Sequence, residues 1–246
     1  MTGHRKDPAG TPTGSAGQGT GRQRRGEDRL PPAVAVLVAA VLYALLPDQL
    51  LLGPRLLIPG LEAVLLLAVV ITNPRRLTRQ TRFSRVASLV LAGLIAASNL
   101  AALGILVSDL VRPSLGNGRA LLLAALQVWA TNVIAFGLIY WELDRGGPVS
   151  RSQRPRDRLP LADWRFTQDE DADTVVEVAA GSSEKSDWIP TLVDYLYLST
   201  TNSSAFSPTD TMPLSGRAKT LMGIQATAAL LTSLLVIARA VGALGS

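Results

Sequence analysis

The chain has 246 residues, 48% of them hydrophobic and 17% charged, with a formal net charge of +5 and no cysteine. The missing cysteine excludes disulfides, thiol nucleophiles, iron–sulfur clusters and zinc–thiolate sites. With His4 as the only histidine, Ser–His–Asp catalysis, haem ligation and histidine metal centres are not expected either, so the chain reads as a non-enzyme with no cofactor.

Residues 1–29 are rich in Gly, Thr, Arg and Pro, without hydrophobic periodicity, and read as a disordered basic tail. Apolar runs follow at 31–52, 56–72, 86–107, 120–141 and 220–238. The last three contain no charged residue; the first carries Asp48 and the second Glu62. A helix apolar on every side belongs in a large core or in lipid. About 20 residues at 1.5 Å each match a hydrocarbon layer of about 30 Å. The run 31–52 reads as a retained anchor and not a cleaved signal, because it is long and further spans follow.

The expected fold class is therefore all-α: a polytopic transmembrane helical bundle of five spans plus one weak spanning or re-entrant, pore-helix-like segment. Its partner is the lipid bilayer. Its parts are the tail 1–29, a four-helix transmembrane region 30–141, a polar loop 142–187, and a pore-loop-like segment plus last helix over 188–246.

The positive charge does not point to nucleic acid, because the arginines flank the apolar runs. Arg5, Lys6, Arg22, Arg24, Arg25 and Arg29 precede the first run, and only Arg55 lies between the first two. Arg75, Arg76, Arg79, Arg82 and Arg85 precede the third, whereas Arg112 and Arg119 precede the fourth. Arg145, Arg151, Arg154, Arg156 and Arg158 follow it. Short basic loops stay in the cytoplasm. The alternation predicts an inner (plasma) membrane, multi-pass protein with a cytoplasmic N-terminus and a cytoplasmic 142–187 loop. That loop is basic first and acidic later, and reads as solvated, with a short strand over 174–178.

The segment 188–206 reads WIPTLVDYLYLSTTNSSAF. Its aromatics favour a membrane interface, and its polar end makes a poor span but a plausible half-helix. Both alternatives are open from sequence.

The run Asp194-Tyr195-Leu196-Tyr197-Leu198-Ser199, then Ser207-Pro208-Thr209-Asp210 and Gly216-Arg217-Ala218-Lys219, resembles a bacterial family of uncharacterised integral membrane proteins. Tyr140-Trp141-Glu142-Leu143-Asp144-Arg145-Gly146-Gly147 is similar to its actinobacterial members. The resemblance implies an inner-membrane protein. The order of half-helix, Ser199-Thr200-Thr201, Asp210, Pro213, Gly216-Arg217 and final helix is also distantly similar to the potassium-channel pore module. Where that module carries Thr-Val-Gly-Tyr-Gly, this chain has Ala205-Phe206-Ser207-Pro208-Thr209, so both glycines that aim carbonyls at the ion are missing and the filter is degenerate.

Candidate residues for an ion pathway or polar cavity are Glu62, Asp194, Thr200, Thr201, Asn202 and Asp210. Ionisable groups inside spans are costly and mark functional positions; hydroxyls and amides replace hydration oxygens or bond across helices. Gly223 and Thr227, four apart, read as a packing or homo-oligomer seam. The functional expectation is ion conduction or sensing by an ion-channel-like C-terminal module. The alternative is a structural or regulatory membrane protein docking partners through its cytoplasmic loop.

Overall fold

The computed structural model describes residues 26–72, 77, 81–111, 118–204 and 210–244. The tail over 1–25, Arg75, Arg76, Arg79 and the stretch 205–209 lie outside the described residues.

Helix α1 spans Leu30–Ala44, with prolines in its first turn, where their missing N–H groups leave no bond unmade. It stops three residues before Pro47, which cannot continue a helix. A 3-10 turn over Asp48–Leu50 follows. Arg55 clasps it by binding Asp48 at 2.6 Å and the Leu46 carbonyl at 3.0 Å. Then come α2 (Leu57–Thr72), α3 (Arg82–Val111) and α4 (Gly118–Leu143). Thr81 and Ser84 cap α3 reciprocally: each backbone N–H donates to the other's hydroxyl, at 3.2 and 3.0 Å.

Of the five apolar runs, three form long helices and two form shorter ones. Among the described residues three helical stretches are long and apolar enough to cross a membrane, Arg82–Ser108, Arg119–Gly146 and Gly216–Arg239. The first two runs give shorter apolar helices, because Pro47 and the Asp48–Arg55 turn cut the first and Pro54 delays the second. The 15 residues of α1 measure about 22 Å at helical rise.

The polar loop is also ordered. It carries α5 (Pro148–Gln153), strand β1 (Trp164–Phe166), and one-turn helices α6 (Val176–Ala179) and α7 (Ser183–Ser186). Of the short strand expected over 174–178, residues 176–178 instead lie in α6. Together these pieces form a cap on one end of the bundle. Arg151 anchors it, donating to the carbonyls of Trp141 at 2.7 Å and Asp144 at 2.8 Å.

Helix α8 (Leu192–Ser204) decides the topology. It runs antiparallel to α4 and into the bundle: Tyr195 meets Asp144, Leu196 lies on Gly137, and Ser199 donates to the Val133 carbonyl at 2.7 Å. By Thr211 the chain is back at the cap. There β2 (Thr211–Pro213) pairs antiparallel with β1, Thr211 opposite Phe166. Five residues lie between Ser204 and Asp210, too few to cross the bundle. Thus α8 enters the bundle from the cap end, and β2 lies at that same end. Helix α9 (Gly216–Leu244) then starts at the cap and passes Tyr140 and Asn132. It continues to Leu122 and Leu126 near the far end of α4. The start of α1, the end of α2, the start of α3 and the end of α4 meet around one cavity of about 30 Å³, lined by Arg29, Leu66, Ser88 and Glu142 among others. The described residues thus run from the cap end, at Gly26, to the opposite end, at Leu244.

Leu37, Val41, Leu67, Val90, Leu126 and Ile237 are exposed around the outside of the bundle. A soluble surface would carry polar groups there; an apolar belt of this kind suits lipid.

Candidate functional site

Helix α8 is held by two polar layers. The deeper one centres on Gln225 of α9, fully buried. Its Oε1 accepts from the Tyr140 hydroxyl at 2.6 Å and from Asn202 Nδ2 at 2.8 Å. Its Nε2 lies within donating distance of the Ser199 carbonyl (3.0 Å), Ser199 Oγ (2.5 Å) and Ser203 Oγ (2.9 Å). Asn202 also donates to the Met222 carbonyl at 3.0 Å, and Asn132 to that of Gln225 at 3.4 Å. One side chain thus ties α4, α8 and α9 together where water is scarce and each unmade hydrogen bond costs about 1–3 kcal/mol.

The shallower layer centres on Asp144, whose carboxylate is fully buried. It accepts from the Tyr195 hydroxyl at 2.5 Å, Arg145 at 2.7 Å and the Asp163 backbone N–H at 2.7 Å. Arg145 also reaches Asp169 at 2.7 Å. The guanidinium of Arg151 lies 4.9 Å over the Tyr195 ring and 3.4 Å from the Glu27 carboxylate. Buried charges are tolerated only when paired this completely. The backbone turns sharply to build the layer: Arg145, Gly146 and Gly147 all have positive φ. At Gly146 a Cβ would stand 2.9 Å from Ser150 Oγ and 3.0 Å from the Pro160 ring, so glycine is required on both counts.

Trp164, fully buried, joins the layers. Its ring is 4.7 Å from Tyr140 and 6.4 Å from Tyr195, edge-on to the latter, and its indole N–H points at Met222 Sδ, 3.2 Å away. Asp163 next to it accepts from Arg217 Nε at 2.7 Å and from the Ser215 hydroxyl at 2.5 Å, fixing the start of α9 to the cap.

The sequence candidates divide sharply. Asn202 is in the Gln225 layer. Thr200 and Thr201 return their hydroxyls to their own helix, at the Leu196 and Leu198 carbonyls. Asp194 accepts from the backbone N–H and the hydroxyl of Thr191, at 2.7 and 2.8 Å, and so caps the start of α8. Asp210 bonds the Tyr197 hydroxyl, and its Oδ1 is buried without a partner among the described residues. Glu62 is 1% exposed on α2; its Oε2 has no partner among the described residues and it belongs to neither layer. Gly223 and Thr227 line an open apolar groove of about 560 Å³ with Leu100, Leu103, Gly104 and Val107 of α3.

Gln225, Asp144, Arg151 and Glu27 escape sequence reasoning as site residues. A lone glutamine inside an apolar run was the available signal for the first. The other three look like ordinary loop charges until the fold buries them. Among the described residues no group of three or more His, Cys, Asp or Glu could hold a metal ion.

Compared with protein-family models, curated proteins and solved structures, the chain matches none.

Proposed function

We propose that this is an integral membrane protein of the inner (plasma) membrane that passes or senses small ions through its C-terminal module, α8 and α9. In this reading α1, α2, α3, α4 and α9 all cross, the N-terminus and cap are cytoplasmic, and α8 re-enters from the cytoplasmic side. The observation that carries it is the path of α8, which runs from Asp144 down to Gln225 and is back beside Phe166 at Thr211. Non-helical backbone at membrane depth is tolerated only against protein or water, and it recurs where ions are handled. The outward face of α8, with Val193 69% and Tyr197 54% exposed, supports contact with a second copy. The family resemblance of residues 120–246 fits the same reading.

Two experiments test it. A phosphatase fused after Ser246 should be active and a fluorescent protein there dark, since re-entry puts the C-terminus outside; the reverse result removes the re-entrant reading. Liposomes bearing the purified protein should leak a small cation, less so with Asp210→Asn. A protein that neither leaks nor binds any small cation would leave conduction and sensing without support.

A second reading, docking of a partner by the cap, is favoured by Leu161 and Val176, which are 92% and 83% exposed on its surface, with Val175 and Val178 exposed beside Val176. Leu161→Ser with Val176→Ser should then abolish the cellular phenotype while insertion is kept.

A further inference from the structure

Helices α1 to α4 close around the cavity of about 30 Å³ under the cap, where Val36, Leu66, Ala92 and Leu138 each supply one wall. The same four helix faces, followed away from the cap, lead to three polar residues. Glu62 stands four residues before Leu66, Asn99 seven after Ala92 and Thr131 seven before Leu138. Such spacings keep a residue on one helix face and move it about 6–10 Å along the axis. The three therefore converge in the interior, one each from α2, α3 and α4. The apolar core divides at the same level. Ile58, Ala102 and Val128 go with the cluster on the far side, and Leu66, Ala96 and Ala135 with the cluster on the cap side.

Glu62, Asn99 and Thr131 are all buried, and α1 passes them with the small, buried Ala39. Glu62 Oε2 and Asn99 Nδ2 have no partner among the described residues. No basic residue occurs between Arg29 and Arg55, Arg55 and Arg75, Arg85 and Arg112, or Arg119 and Arg145. Arg55, the nearest in sequence, is bound to Asp48 and the Leu46 carbonyl. The Glu62 carboxylate thus has no counter-charge built into the bundle, and a buried charge is stable only when paired.

We propose that Glu62, Asn99 and Thr131 form a binding site for one small monovalent cation of the sodium class, in the middle of the α1–α4 bundle.

The donor chemistry sets the ligand. Carboxylate, amide and hydroxyl oxygens suit hard cations and not soft ones. One carboxylate among neutral groups balances a single positive charge; a divalent ion would leave a buried charge unpaired. A half-turn of the Asn99 amide presents its oxygen and breaks no bond of Nδ2. The cavity toward the cap has room for about two waters, which complete the ion's shell and mark its route of entry. Along that route Glu142 offsets the charge of Arg29, so a cation can approach. The site does not rest on α8 and α9 handling ions.

Equilibrium binding of radioactive sodium to the purified full-length protein at pH 8.5 tests it. Wild type should show a single saturable site. Glu62→Gln should abolish it, and Asn99→Ala should weaken it roughly tenfold or more, as expected for a lost contact to a charge. Asp210→Asn should bind like wild type, and an equal concentration of calcium should not displace the sodium. A wild type without saturable sodium binding, its carboxyl holding only a proton, would overturn the site. So would binding that survives Glu62→Gln or that calcium displaces. Should Glu62→Gln not fold, melting decides: sodium chloride in place of choline chloride should raise the Tm of wild type more than that of Asn99→Ala. Equal shifts, or none in wild type, also overturn it. Cation leak sensitive to Asp210→Asn reports on α8 and α9, so that reading and this one fail separately.

Discussion

Tyr140 of α4 and Gln225 of α9 meet at 2.6 Å, hydroxyl to amide oxygen, in the buried middle of the molecule. The contact matters because Gln225 simultaneously binds Ser199, Asn202 and Ser203 of α8. Replacing it with leucine would take a hydrogen bond from each of the four partners, although Asn202 and Ser199 keep their bonds to the Met222 and Val133 carbonyls. Each pair across membrane helices contributes roughly 0.5–2 kcal/mol, and the effects within one hub are not additive. The expected loss for Gln225→Leu is about 2–4 kcal/mol in a reversible detergent-unfolding titration. Tyr140→Phe, which removes one donor, should cost about 1 kcal/mol. A Gln225→Leu protein as stable as wild type would mean that α8 is held by apolar packing alone.

The Asp144 layer should respond differently to its two main partners. Asp144→Asn leaves Arg145 buried beside a neutral amide, with Asp169 its remaining counter-charge. The expected cost is about 3 kcal/mol. Tyr195→Phe removes a single hydrogen bond to the same carboxylate and should cost about 1–1.5 kcal/mol. Protease cutting within the cap, scored against cutting elsewhere, should rise far more for Asp144→Asn. Equal sensitivity of the two variants would contradict the charge argument.

Gly137 marks the closest approach of α8 to α4. A Cβ there would stand 2.7 Å from Leu196 Cδ2 and 3.4 Å from its Cα. Gly137→Val should pry α8 away and lower thermal stability by roughly 2 kcal/mol or more, in the range of overpacked cores. Gly60 on α2 has nothing within 4 Å of a built Cβ. Gly60→Ala should be neutral or slightly stabilising, because it removes backbone freedom from the unfolded chain. The pair can be compared by melting in the same detergent.

Asp194 tests structure against chemistry. As the cap of α8 it should cost about 1 kcal/mol when changed to alanine, with more rapid hydrogen exchange in the first turn. Cation leak per folded molecule should be unchanged. A selective loss of leak with intact stability would return Asp194 to the ion pathway.

Much of the architecture could be read from the residues. Uninterrupted apolar runs made α3, α4 and α9 legible, since only lipid or a very large core accepts a helix without a polar face. Pro47 and Pro54 shorten the first two runs, because a ring without an N–H breaks a helix however apolar its neighbours are. The Ser/Thr/Asn run was visible, but its roles were not. Thr200 and Thr201 close on their own backbone, while Ser199, Asn202 and Ser203 face α9. That division follows from which side of α8 packs inward, a fact with no local trace.

By itself the sequence determined the helical class, the helices suited to lipid and the uneven placement of arginine. These depend on hydropathy and charge summed over windows of about 20 residues. Only the tertiary structure decided that α8 enters the bundle from the cap end, that Gln225 and Asp144 organise it, and that Glu27 is half-buried beneath the cap. Those outcomes rest on hydrogen bonds and ion pairs between residues as far as 124 positions apart. Such bonds depend on distance and direction in space, which adjacency along the chain does not encode.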